Sequence, residues 1–154
     1  MDTLSITFTG GSDLSLSGVV SSSIEKYSVS NYTTVDGTDD TIDMSQASGI
    51  ATIALTGSNG NGDTLFTNVG AVVDAEMMSG TGDLTITNTD ASVAGTANAA
   101  SLTLSGQTLS TFTEGGASAG GLETLNVASN GATNDVDVTS ANNSLATVNI
   151  SQCL

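Results

Sequence analysis

The chain has 154 residues, 16 acids against a single basic residue, a formal charge of −15, no His, Trp or Pro, and only 3% aromatics. One lysine cannot displace counterions from nucleic-acid phosphates, and an anionic membrane surface repels such a chain, so neither nucleic acid nor membrane is an expected partner. Without His there is no Ser–His or Cys–His nucleophile pair and no imidazole metal site, the single Cys153 has no internal disulfide partner, and no apolar run is long enough to span a bilayer.

Taken in order, the apolar residues alternate with Ser, Thr, Asn and Asp at period two, the pattern of half-buried strands. Leu4, Ile6 and Phe8 come first, then Leu14/Leu16, Tyr27/Val29, Ile42/Met44, Ile53/Leu55 and a strand beginning at Leu65. Leu84/Ile86, Leu102/Leu104, Leu125/Val127, Val136/Val138 and Val148/Ile150 follow. Only the stretch 72–78 has any helical character, and it is too short to stand as a helix. Thr, Ser, Gly and Asn supply about half of the chain, suiting pleated faces and turns.

The strand starts fall about 11 or 12 residues apart, from Ile42 to Ile53 to Leu65 and again from Leu125 to Val136 to Val148. A longer echo lies over this. Leu122-Glu123-Thr124-Leu125-Asn126-Val127 returns as Leu145-Ala146-Thr147-Val148-Asn149-Ile150, and Ala99-Ala100-Ser101-Leu102-Thr103-Leu104 precedes it by the same interval. That interval, about 23 residues, is the mark of a solenoid. The spacing predicts an all-β, right-handed parallel β-solenoid with coils of about 23 residues and two short strands each. Its narrow interior would admit Leu, Ile and Val but not bulky aromatics. A β-sandwich is the alternative architecture, and a leucine-rich repeat lacks the apolar residues its convex side needs. Residues 1–154 read as one solenoid domain, expected to be a fragment of a longer repeat protein.

The acids cluster beside glycines at turns. Gly37-Thr38-Asp39-Asp40-Thr41-Ile42-Asp43 and Gly60-Asn61-Gly62-Asp63-Thr64-Leu65 combine carboxylates with turn carbonyls, the hard oxygens that Ca²⁺ selects. Asp36, Asp39, Asp40 and Asp63 are the candidate ligands of a Ca²⁺ site; ordinary turn formation explains the same residues equally well. The pair Asp135/Asp137 reads as a solvated strand face, and the chain is not expected to be an enzyme. The Thr-rich stretches 85–89 and 7–9 would bind ice only if threonine pairs repeated in register from coil to coil.

Gly-Leu-Glu-Thr-Leu-Asn-Val-Ala-Ser (121–129), Asn-Ser-Leu-Ala-Thr-Val-Asn-Ile-Ser (143–151) and Asp-Asp-Thr-Ile-Asp-Met-Ser (39–45) resemble the repeat phrases of the lysine-poor, acidic surface-layer and RTX-like secreted proteins of Gram-negative bacteria. The resemblance implies an extracellular, cell-surface location and a structural role through calcium-assisted self-assembly. Its partners would be other copies of the same protein or envelope glycans. The alternative is a module of a secreted RTX-type adhesin that binds a glycan or a surface.

Overall fold

The computed structural model describes residues 1–35, 39–131 and 133–153. Fifteen strands and no helix are found among them: β1 (Thr3–Gly10), β2 (Ser15–Leu16), β3 (Ser21–Ser22), β4 (Lys26–Thr33), β5 (Asp40–Asp43), β6 (Ala47–Ser48), β7 (Thr52–Ser58) and β8 (Thr64–Val69) come first. Then follow β9 (Asp74–Gly80), β10 (Leu84–Asn88), β11 (Ala99–Gln107), β12 (Ser110–Gly116), β13 (Thr124–Asn130), β14 (Val136–Ser140) and β15 (Thr147–Cys153). They stack into a seven-stranded sheet, β1-β4-β7-β9-β11-β13-β15, and a six-stranded sheet, β2-β5-β8-β10-β12-β14, while β3 and β6 pair beside them. Every pairing is parallel, which excludes the sandwich of antiparallel strands. The chain is a β-solenoid of about six turns with about 25 residues in each.

One column of inward residues shows how the coils vary. Leu4, Tyr27, Ile53, Ala75, Leu102, Val127 and Ile150 lie directly above one another. The coil from Ile53 to Ala75 is therefore the shortest and the coil from Ala75 to Leu102 the longest. The strands hold their register while the corners absorb the difference. The long corner 89–98, between β10 and β11, moves the 99–104 phrase. Leu102 stacks on Val127 and Ala100 on Leu125, whereas the sequence echo aligns Leu102 with Leu125. Residues 74–78 belong to β9, because Ala75 and Met77 continue the columns of Ile53 and Leu55.

The interior is a single apolar cluster running the length of the stack. Its branched aliphatics each contribute about 1.5–3 kcal/mol by leaving water. It also holds aromatics, contrary to expectation: Tyr27, Phe66 and Phe112 are fully buried and Phe8 nearly so. Stacking explains how they fit. Phe66 lies between Ile42 and Ile86, Phe112 between Leu84 and Val138, and Tyr27 between Leu4 and Ile53, so no ring sits on another ring. The Tyr27 hydroxyl finds its partner in Ser21 Oγ. In β8 the inward residues are Thr64 and Phe66, leaving Leu65 on the outer side.

Two kinds of corner close the coil. From the seven-stranded to the six-stranded sheet the chain turns tightly, through Thr108 and Leu109 alone between β11 and β12. Buried amides tie this corner down. Asn31 Nδ2 donates to Asp63 O and Thr64 Oγ1 at 3.0 Å, and further along the stack Gln107 Nε2 donates to Gly82 O at 2.9 Å and Ser110 Oγ at 2.7 Å. The return corner is longer, and Asn88 Nδ2 donates to Ala71 O there at 2.7 Å.

Candidate functional site

The tight corner carries the acids. In the six-stranded sheet Asp40, Thr64 and Leu84 stack as inward residues, so the residues just before them, Asp39, Asp63 and Asp83, stack on the outer side. The column continues through Thr111 to Asp137 at one end. At the other end Asp13 precedes Leu14, whose amide donates to Asp40 Oδ1 at 2.7 Å. Five of six successive coils thus place an aspartate at one position, and parallel strands repeat about every 4.8 Å.

The local sequence explains this geometry. Each turn into β8 and β10 reads Gly-Asp: Gly62-Asp63 and Gly82-Asp83. A Cβ on Gly82 would stand 2.9 Å from Asn59 O, so only glycine lets the adjacent turns approach this closely. The aspartate that follows then reaches the amide of the next coil. Asp63 Oδ1 accepts from Asp83 N at 2.8 Å, and Asp83 Oδ1 accepts from Thr111 N at 2.6 Å.

This use of carboxylates recurs throughout the molecule. Asp74 Oδ1 accepts from Ser101 N at 2.8 Å and Glu123 Oε2 from Asn98 N at 2.6 Å. Glu25 Oε2 takes the amide of Asp2. With almost no cations to pair with, these acids are satisfied by backbone amides of neighbouring coils. The one lysine is engaged elsewhere: Lys26 Nζ lies 2.7 Å from Glu76 Oε2, and the pair reaches across β7 on the outer face of the seven-stranded sheet.

Like charges in one column act on one another. Although Asp39 reaches solvent, its carboxyl is pushed above the ordinary carboxylate range, first by desolvation against the corner and then by the negative charges of Asp83, Asp40 and Asp13. Two such charges at strand spacing repel by about 0.9 kcal/mol even in bulk water. The column is therefore a concentrated negative field on one edge of the solenoid, able to draw cations.

The four expected ligands have different positions. Asp39 and Asp63 belong to the column. Asp40 is turned inward, 2% exposed, and satisfied in part by Leu14 N. Asp36 lies outside the described residues. Among the described residues no three of His, Cys, Asp and Glu converge closely enough to hold a metal ion. Of the other column members, the sequence places Asp83 in a third acidic Gly-Asp turn, Gly80-Thr81-Gly82-Asp83-Leu84, and Asp137 on a solvated strand face, without naming either as a ligand. Asp13 carries no Gly-Asp signal and is not singled out by the sequence.

Near the end of the column Asp135 and Asp137 line an open cleft of about 270 Å³ with Leu109, Ser110 and Thr111. On the same sheet Thr85, Thr113 and Thr139 share one column, but Thr87 stacks on Gly115, so threonine pairs do not repeat from coil to coil. Comparison with protein-family models, with curated proteins and with solved structures finds no match to this chain.

Proposed function

We propose that this solenoid is a structural segment of an extracellular surface-layer or envelope protein, and that divalent cations, Ca²⁺ above all, assist its assembly with other copies. The observation that carries this reading is the column Asp13–Asp39–Asp63–Asp83–Asp137, a line of outward carboxylates set at coil spacing in a chain whose single lysine is paired with Glu76. Carboxylate oxygens are the hard donors that Ca²⁺ prefers. Bringing two such edges together in dilute monovalent salt is unfavourable, and a shared layer of divalent cations removes that repulsion. The acidic repeat phrases that resemble surface-layer and RTX-like proteins support the same role.

Electron microscopy and light scattering on the purified chain test it. Sheets or filaments in millimolar CaCl₂ that disperse on chelation are the expected result. A monodisperse monomer in both conditions overturns the reading.

A second reading, a glycan-binding module of a secreted adhesin, draws on a different face. The outer side of the seven-stranded sheet is an array of hydroxyls and amides, including Asn149 Nδ2 donating to Asn126 Oδ1 at 2.9 Å. Binding to a glycan array by monomeric protein would favour it.

A further inference from the structure

One acid departs from the pattern of solvated carboxylates. Glu114 sits at an inward position of β12, stacked between Ile86 and Ser140, in the column that holds Ile42 and Phe66 in earlier coils. It is 2% exposed. Its Oε2 accepts one hydrogen bond, from Leu122 N at 2.9 Å, while Oε1 is buried with no partner. A neutral carboxyl suits such a place, whereas a carboxylate there would be a buried charge with only the Leu122 amide and the nearby Ser140 hydroxyl for compensation.

The amide it holds belongs to the corner 117–122, which is otherwise tied from outside. Asp90 Oδ1 accepts from Ser118 N at 2.8 Å and Ala119 N at 3.1 Å. Asn142, in the next corner, reaches Gly116 O at 2.8 Å and Gly120 O at 3.0 Å, so movement here is transmitted to the following coil. We propose that Glu114 and the corner 117–122 form a pH-sensitive latch: the neutral carboxyl locks the corner onto the core, and its ionisation releases the corner and loosens the coil that follows.

The surroundings favour the neutral form. β10 presents no titratable group between Leu84 and Asn88, β14 turns Asp137 outward, and β11 and β13 contribute none. The corner leads into Glu123, whose negative charge adds to the effect, and the chain's one lysine is held by Glu76 on the outer face of the opposite, seven-stranded sheet. Burial is the main influence raising the Glu114 carboxyl above the ordinary range, against the opposing pull of Leu122 N and the nearby Ser140 hydroxyl. Asp90 behaves in the opposite way: the amides of Ser118 and Ala119 hold its carboxyl below the ordinary range. The outer tie therefore persists at high pH, while the inner one is lost as pH rises through the raised value for Glu114.

Amide hydrogen exchange on the whole chain between pH 5 and pH 8, corrected for intrinsic rates, tests the latch. Protection across the corner 117–122 should fall by up to about tenfold per pH unit across the Glu114 titration, more steeply than that of the fully buried Ile53 and Leu55, which follows only the global stability. Glu114→Gln should make the corner's protection independent of pH. Should that variant fail to fold, the carbon-13 shift of the Glu114 carboxyl in the unmodified chain supplies the readout, and it should titrate together with the amide shifts of the corner. Level protection in the unmodified chain, an unchanged pH slope in Glu114→Gln, or a Glu114 titration separate from that of the corner overturns the proposal.

Discussion

The two corners of the coil use acids in opposite ways. At the tight corner, short turns bring an aspartate to one position in coil after coil, and the charges add. At the return corner the connections range from the short 70–73 to the long 89–98, and each acid completes its own local arrangement. Asp43 accepts from Ser45 N at 3.0 Å and from Asn68 Nδ2 at 2.9 Å, Asp90 holds Ser118 and Ala119, and Glu114 is buried. Regular stacking converts single side chains into a collective electrostatic feature. Irregular connections leave them independent.

The sharpest way to break this contrast is steric. Gly82→Val at the tight corner would force a side chain against Asn59 O and Gly62 O, and should lower stability by about 3 kcal/mol or more in urea titrations. Gly70→Ala at the return corner meets nothing within 4 Å and should change stability by less than about 1 kcal/mol. Next in size is Asn31→Ala, which strips Asp63 O and Thr64 Oγ1 of a buried donor and should cost about 2 kcal/mol in the same titrations.

Charge effects are smaller and separate the corners by sign. Asp83→Asn keeps an acceptor for Thr111 N and removes one charge from the column, so it should stabilise the chain by about 1 kcal/mol at low ionic strength. The gain should vanish in about 1 M salt, where screening reaches within a few ångströms. Asp90→Asn should destabilise, because it weakens a charge-assisted acceptor for two amides and relieves no column of like charges.

The pH profile follows the same division. Asp39 and Glu114 are raised, so the stability they contribute is complete below their unfolded values of 3.8 and 4.5 and is lost as pH rises through the folded ones. Glu25, Asp43 and Asp90 are lowered, so theirs is present above the unfolded values and lost as pH falls through the folded ones. Thermal melts should therefore show greatest stability near pH 4–5, declining on both sides. A profile that rises steadily to pH 8 would contradict the assignment.

The solenoid itself was legible in the sequence because two periods coexist: alternation within strands and a phrase that echoes from coil to coil. What the echo could not give was register. Ala100 and Leu102 both fit the phrase at Leu125, and only the length of the corner 89–98 decides between them. Parity was equally ambiguous wherever two candidates adjoin. Leu65 and Phe66 are both apolar, and Asp39 and Asp40 are both acidic; stacking on Ile42 and Ile86 puts Phe66 inside, and stacking on Thr64 puts Asp40 inside. The acidic column was hidden for the same reason, since the intervals between its members change from coil to coil and Thr111 interrupts them. Scarcity of aromatics suggested their exclusion from the core, whereas one ring between aliphatic neighbours is what each column accommodates.

Under the proposed role, the aspartate column should respond to divalent cations as a unit. Thermal melts of the unmodified chain and of the triple variant Asp39→Asn, Asp63→Asn, Asp83→Asn, in CaCl₂ and in NaCl of matched ionic strength, test it most directly. CaCl₂ should raise the Tm of the unmodified chain beyond what NaCl achieves, and the excess should disappear in the triple variant. An equal response to the two salts, or an excess that survives the triple substitution, would contradict it.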